Sequence, residues 1–241
     1  MERLQKVIAK SGITSRRKAE TMIENGLVEV NGKVVTELGT KVSNQDEVKV
    51  EGGVPIEKEK LIYFLFYKPR GVITSVGDDK DRKTVIDYFE EYPERIYPVG
   101  RLDYETSGLL IMTNDGDFTN LLLHPSSQIN KEYVMKTAGI PSKENLQLFK
   151  KGIRSEGDLL KANYVKTLSV DPKKNTAIIK IVLHQGGKNR QIRRMFEAIG
   201  TPVLKLKREK FGFLTLDGLT AGGEHRELTP KEIAELKKLA K

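Results

Sequence analysis

The sequence predicts an α+β protein in two parts, a small helix–helix–sheet module followed by a larger domain on a mainly antiparallel sheet. Three observations predict it. The chain has 241 residues, which suits one large domain or two unequal ones. Its strand-like and helix-like segments mix without the strict alternation of a parallel α/β fold. Residues 51–60, rich in glycine, proline and charge, read as a break between the parts. The expected division is a module over 1–53, a linker over 54–60 and a main domain over 61–241.

In the module, Leu4, Val7 and Ile8 share one helical face. A second helix opens near Thr14-Ser15 with Ser15 as N-cap, buries Ala19, Met22 and Ile23, and ends at Gly26. Val28 and Val30 alternate with polar residues, Asn31-Gly32 is a two-residue hairpin turn, and Val34-Val35 resumes the strand. Val48 and Val50 close the small sheet.

In the main domain, Leu61–Tyr67 is a nearly continuous apolar and aromatic run, hence a buried strand. A helix is expected over Val85–Phe89, a short strand over Ile96–Val99, a buried strand over Leu109–Met112 and a short helix over Asp117–Leu123. Tyr133–Thr137, Tyr164–Val170 and Ala177–Leu183 alternate as strands. Glu144–Lys150 and Arg190–Ile199 have helical spacing. Pro230–Leu239 is a closing helix, with Thr229 as N-cap and Pro230 in the first turn.

Charge points to a polyanionic partner. The formal net charge is +9. Residues 186–210 hold Lys188, Arg190, Arg193, Arg194, Lys205, Lys207, Arg208 and Lys210 against Glu197 and Glu209. Two-thirds of the net charge therefore sits in one segment, the footprint expected of RNA or DNA binding. Arg16-Arg17-Lys18 opens the second helix. Alone it reads as a solvated face; beside a short sheet it can lay three cations along an RNA backbone. Residues 1–53 are nearly neutral, with nine basic and eight acidic side chains, so placement and not total charge would make that module bind.

Other chemistries have little support. There is no cysteine, which removes disulfides, thiolate metal sites and a cysteine nucleophile. His124, His184 and His225 are scattered without metal-ligand spacing, and no metal is expected. No serine elbow is present. The start of the chain lacks the apolar run of a signal peptide, and no stretch has the length of a membrane span, so a cytoplasmic protein is expected.

Two stretches look built for chemistry. Gly100-Arg101-Leu102-Asp103-Tyr104-Glu105-Thr106-Ser107-Gly108 mounts an acidic residue between a short strand and a buried one. A lone Asp103 would be an ordinary turn residue; glycines at both ends suit a loop held rigidly over a sheet. His184-Gln185-Gly186-Gly187-Lys188-Asn189-Arg190 leads from a strand into a helix whose free N–H groups favour an anion. It is no nucleotide P-loop, since Asn189 follows the lysine. Arg190 and Arg194 are expected on one helix face, with one arginine of this helix turned inward to a carboxylate.

Lys68-Pro69-Arg70-Gly71, Gly100-Arg101-Leu102-Asp103 with Thr106-Ser107-Gly108-Leu109-Leu110, Lys131-Glu132-Tyr133-Val134, and Lys188-Asn189-Arg190-Gln191-Ile192-Arg193-Arg194-Met195 occur in this order. In this the chain resembles the RsuA/RluB family of ribosomal RNA pseudouridine synthases, over nearly its whole length. The first module resembles the S4 RNA-binding domain, and the wording around Phe66-Tyr67-Lys68-Pro69-Arg70-Gly71-Val72 looks most like the large-subunit type. The resemblance implies Asp103 as the catalytic carboxylate at the ribose, acting as nucleophile or base. It implies Tyr133 stacked on the target base and Arg193 paired with the carboxylate. It further implies that Arg101 helps prise the base from its stack, and that Lys188 and Asn189 line the RNA side. Arg16, Arg17, Lys18, Arg190 and Arg194 are expected to contact RNA.

The implied reaction fits the composition. Isomerising uridine breaks N1–C1′, turns the base and joins C5 to C1′, with nothing gained or lost, so no cofactor is expected. A catalytic carboxylate must stay ionised in a closed pocket; burial raises its pKa and an arginine opposes that. Extruding the base costs a few kcal/mol, offset by stacking on an aromatic. The expected partner is ribosomal RNA, 23S before 16S, free or in a pre-ribosomal particle, with the enzyme a monomer. A non-catalytic assembly factor is the competing class. It would be expected to have lost Asp103, Tyr133 or Arg193, and all three are present.

Overall fold

The computed structural model describes residues 1–184 and 188–241. The chain divides into two compact units. One comprises Met1–Ile62 with Glu91–Ile96 and Asn114–Gly116; the other comprises Tyr63–Glu90, Tyr97–Thr113 and Asp117–Lys241.

The first unit runs β1 (Glu2–Arg3), α1 (Leu4–Lys10), α2 (Arg16–Glu24), β2 (Val28–Val30), β3 (Lys33–Val34), β4 (Lys41–Val42) and β5 (Val48–Val50). The two helices and the β3-β2-β5 sheet close over Leu4, Ile8, Ala19, Ile23, Val28 and Val48. Ser15 caps α2, its hydroxyl accepting from the Lys18 N–H at 3.2 Å. Asn31 and Gly32 both take positive φ, as a two-residue hairpin turn of this kind requires. A small β1–β4 pairing had no sequence signal. Residues 54–60, linker-like in composition, are tied to this unit: Pro55 bridges to Lys49, and the Ile56 and Glu59 N–H groups donate to the Val48 and Lys10 carbonyls.

The second unit contains β6 (Tyr63–Lys68), β7 (Tyr97–Pro98), β8 (Thr106–Thr113), α3 (Gly116–Leu123), β9 (Lys131–Ala138), α4 (Lys143–Lys151), β10 (Ile153–Ser155) and β11 (Asp158–Leu160). It continues with β12 (Tyr164–Asp171), β13 (Thr176–Leu183), α5 (Gln191–Glu197), β14 (Val203–Phe211), β15 (Leu214–Thr215), β16 (His225–Glu227) and α6 (Pro230–Leu239). The main sheet is ordered β12-β13-β9-β14-β8-β6-β16, with β7 on β8 and β15 on β14. All its pairings are antiparallel except β14 with β8. One face of β6 and β8 packs Leu65, Leu109 and Ile111 against Phe118, Leu122 and Leu236, from α3 and α6. On β6, Phe64 and Phe66 are fully buried and meet the rings of Phe89, Tyr88 and His225.

Most sequence expectations stand; besides the short strands β1, β15 and β16, which were not foreseen, three differences matter. The helix expected over Val85–Phe89 is a single 3-10 turn, Ile86–Tyr88. The β10–β11 hairpin was unforeseen. So was β14, a strand at the centre of the sheet, because its residues read as basic surface. The closing helix α6 agrees to the residue: the Thr229 hydroxyl accepts from the Glu232 N–H at 3.2 Å, and the Thr229 N–H donates to the Glu232 carboxylate at 2.8 Å.

The parallel β14–β8 contact depends on Gly108. It lies opposite Arg208 at φ +116°, and a Cβ there would collide with the Arg208 backbone. Gly108→Ala is expected to cost about 3 kcal/mol or more, combining backbone strain with strand separation. Gly218→Ala also has positive φ but open space around it, and should cost only about 1–2 kcal/mol. Urea unfolding of both variants is the check; equal losses would contradict the tight β8–β14 approach.

Candidate active site

A cleft of about 570 Å³ opens over one face of the main sheet. Side chains alternate along a strand, so residues two apart share a face. Lys131 and Tyr133 of β9 therefore lie side by side, with Leu183 of β13 beside Lys131. On β14, Arg208 is opposite Tyr133 and Phe211 is opposite Lys131. These residues and Leu206 form the floor. Residues Val99–Asp103 with Thr106 form one wall, and Lys188–Arg193 form another.

Asp103 is half-buried in the turn entering β8. The turn is held from β6. Lys68 is fully buried, and its ammonium donates to the carbonyls of Pro69 (3.0 Å), Asp103 (3.3 Å) and Thr106 (2.9 Å). Burial pushes the Lys68 pKa down to about 8, against the pull of Asp103 and Glu105. The Thr74 hydroxyl donates to the Leu102 carbonyl at 2.6 Å, and the Gly71 N–H to the Tyr104 carbonyl at 2.9 Å. Arg70 pairs with Glu105 at 2.6 Å. Asp103 is the only carboxylate among the described lining residues, which also include Arg101, Lys131, Lys188, Arg190, Arg193 and Arg208.

The structure thus brings Asp103, Tyr133, Arg193, Arg101, Lys188, Asn189 and Arg190 around one cleft. Tyr133 is buried in the floor, whereas Arg101, Lys188, Asn189 and Arg190 are exposed at the rim. Arg16, Arg17 and Lys18 lie exposed on the first turn of α2, in the first unit. The Gly186-Gly187 pair lies outside the described residues.

Two expectations need correcting. Arg193 does not ion-pair with Asp103 among the described residues. Its guanidinium donates to the carbonyls of Val203 and Glu105, each at 3.2 Å, because the turn presents the Glu105 carbonyl to it. Burial and then Arg190 lower its pKa, while Asp103 and Glu105 oppose them. Arg193 is therefore fixed beside the Asp103 turn through backbone.

Arg194 does not face the cleft. It is buried, and donates to Asp158 at 3.0 Å, to the Asn189 carbonyl at 3.3 Å and to the Ser155 carbonyl, with Glu156 at 3.1 Å. The expected shared face with Arg190 fails because Arg190 is not helical: it caps α5 at φ +49°. Arg194 clamps the β10–β11 hairpin to α5. Asp158 also takes Lys188 at 2.5 Å, so one carboxylate joins the clamp to the rim.

Sequence reasoning gave no site role to Lys68, Lys131 or Arg208. Lys68 and Lys131 stood inside recognised motifs, and the two-residue spacing of Lys131 and Tyr133 was a usable signal. Arg208 was absorbed into the basic segment.

The family model for RNA pseudouridylate synthase matches residues 62–198, and that for the S4 domain matches residues 2–48. The chain belongs to the RNA pseudouridylate synthase family. The synthase is 57% identical over 240 residues to "Ribosomal large subunit pseudouridine synthase B" of Bacillus subtilis (strain 168), covering 100% of this chain and 97% of the relative. A protein of the same name from Vibrio cholerae is 35% identical over 244 residues, covering 99% of this chain and 75% of that one. A solved structure titled "Crystal structure of pseudouridylate synthase" superposes with TM-score 0.67 at 30% identity, covering 98% of this chain and all of that one. The synthase is an isomerase that converts uridine in RNA to pseudouridine, and it carries an S4 RNA-binding domain. Among its described residues no helix is long and apolar enough to cross a membrane.

The two neighbouring arginines should separate by experiment. Arg194→Ala is expected to destabilise the fold by about 2–3 kcal/mol, the scale of lost hydrogen bonds to charged groups. Arg190→Ala should leave stability unchanged and flatten the salt dependence of RNA binding by about one unit of slope. Thermal unfolding and RNA titration at several salt concentrations test this; the reverse pattern would return Arg194 to the RNA surface.

Proposed function

We propose that this synthase isomerises one uridine of 23S ribosomal RNA, with Asp103 as the carboxylate acting at the ribose. The observation that carries the reading is a single half-buried carboxylate on a braced turn, over a floor containing Tyr133 and beneath a rim of cations. The large-subunit assignment is supported by the names of the Bacillus and Vibrio relatives. On this reading the enzyme works in the cytoplasm as a monomer, on 23S RNA or a pre-ribosomal particle.

Position supports each role. Exposed Arg101, Lys188 and Arg190 take backbone phosphates, which position the strand without reading it. Arg16, Arg17 and Lys18 do the same on the S4 domain. The target base leaves its stack and lies against Tyr133, which offsets the few kcal/mol of unstacking. Its ribose then meets Asp103, either through attack on C1′ or through loss of the C2′ proton. In both routes the electrons of the N1–C1′ bond leave with the base. The base turns and C5 bonds to C1′ as the bond to Asp103 breaks or as Asp103 returns its proton to C2′; C5 then gives up its proton and N1 takes one. Arg193, anchored on the Glu105 carbonyl, holds positive charge beside the turn while Asp103 reacts.

The test is pseudouridine mapping on unmodified 23S and 16S transcripts. Wild type should produce one new pseudouridine in 23S RNA, and Asp103→Asn none, with RNA affinity within about twofold of wild type because phosphate contacts survive. A site in 16S RNA would overturn the subunit assignment. Undiminished turnover by Asp103→Asn would remove Asp103 from the mechanism.

A further inference from the structure

Four cations of the second unit are buried among the described residues, and two of them are satisfied by the fold. Lys68 has three carbonyls and Arg194 has Asp158. Two are not. Lys131 and Arg208 are only 8% and 3% exposed, stand on adjacent strands of the cleft floor, and have no carboxylate partner among the described residues. Arg208 donates from Nε to the Leu109 carbonyl at 2.7 Å, leaving Nη2 buried without a partner. The Lys131 ammonium has the face of Phe211 at 5.6 Å and no hydrogen-bond acceptor among the described residues. Burial first, and Arg208 second, push the Lys131 pKa down to about 8.

A buried cation without a counter-charge is costly. Two together, opening onto a cleft, make a site waiting for negative charge. We propose that Lys131 and Arg208 form the binding site for the anionic uracil ring, stabilising it while the N1–C1′ bond is open. The inference rests on the pseudouridylation reading above and deepens it. When that bond breaks, its electron pair stays on the ring and spreads onto the carbonyl oxygens O2 and O4. Lys131 and Arg208 keep their protons and donate hydrogen bonds to those oxygens. C1′ is meanwhile held as an ester of Asp103, or becomes part of a glycal after Asp103 takes the C2′ proton. After rotation, C5 bonds to C1′ as the Asp103 ester bond breaks or, from the glycal, as Asp103 returns its proton to C2′; the proton on C5 then leaves, N1 is protonated, and the ring is neutral again. Nothing else is consumed.

The base and not a phosphate is the occupant because of depth. Tyr133 separates Lys131 from Met135 along β9 and sits opposite Arg208, so a base lying on Tyr133 directs its edge at both cations. The exposed rim residues Arg101, Lys188 and Arg190 lie where phosphates travel. Such donors act on charge that develops in the transition state, in a water-poor site, where they are worth most.

The test uses full-length enzyme, Lys131→Met and Lys131→Arg, in single turnover on the mapped RNA with uridine or 5-fluorouridine at the target. Fluorine withdraws electrons and makes the uracil a better leaving anion. Lys131→Met should slow N1–C1′ cleavage about 100-fold on uridine RNA. The loss should shrink to about 10-fold or less on 5-fluorouridine RNA, where the ring needs less help. Lys131→Arg should stay within about 10-fold on both. RNA affinity should not change, and the melting temperature of Lys131→Met should equal or exceed wild type, since an unpaired buried charge is gone. Equal losses on the two RNAs, or no loss, would overturn the proposal. So would weaker, less salt-dependent binding by Lys131→Met, which would make Lys131 a phosphate contact, or a fall in its stability, which would make it structural. A wild type inactive on every ribosomal uridine would overturn the functional reading itself. An active wild type with an unimpaired Lys131→Met overturns only this inference.

Discussion

The close parallel approach of β14 to β8, open only because residue 108 has no side chain, sets the geometry of everything around the cleft. It inserts β14 between β8 and β9, so that Arg208 lies opposite both Gly108 and Tyr133. It places the turn that precedes β8, and with it Asp103, at the edge of the floor formed by β9 and β14. Lys68 then fixes that turn through the Asp103 and Thr106 carbonyls, which braces the Asp103 side chain through its backbone. Positioning of this kind matters because catalysis is lost steeply when reacting groups shift by about 1 Å.

The net charge of +9 is sorted into three kinds of cation by burial and partner. Lys68 and Arg194 are buried and satisfied, and their work is to hold loops. Arg101, Lys188 and Arg190 are exposed at the rim and suited to a phosphate backbone, where each contact is individually weak and salt-dependent. Lys131 and Arg208 are buried with no carboxylate partner among the described residues, a state that fits the functional role proposed for them. The acidic hairpin residue Asp158 links the first two kinds, since it holds both Arg194 and Lys188.

Local features were legible in the sequence. The caps of α2 and α6 are set by Ser15 and Thr229, whose side chains act within three residues, and both stand as read. The strands around Leu65, Leu109 and Ile179 were visible as apolar runs or alternations. What was missed depends on distant partners. β14 carries Lys205, Lys207, Arg208 and Lys210, and only pairing with β8 and β9 turns that basic run into a central strand. Arg194 looked like a phosphate ligand until the unforeseen β10–β11 hairpin supplied Asp158 and Ser155. The motif residues Asp103, Tyr133 and Arg193 do gather around one cleft. The partner of Arg193 is a carbonyl where a carboxylate was expected, because backbone geometry of the turn is not written in side-chain identity.

The central claim is that a uridine enters this cleft with its base on the floor and its ribose at Asp103. The most direct measurement is a crystal structure of the Asp103→Asn protein bound to the 23S stem-loop containing the mapped uridine. The account predicts a uracil drawn out of the RNA stack and lying on Tyr133, its carbonyl oxygens within hydrogen-bond distance of Lys131 and Arg208 and C1′ beside residue 103. A complex in which that uridine stays stacked, or in which a phosphate occupies the floor, would contradict it.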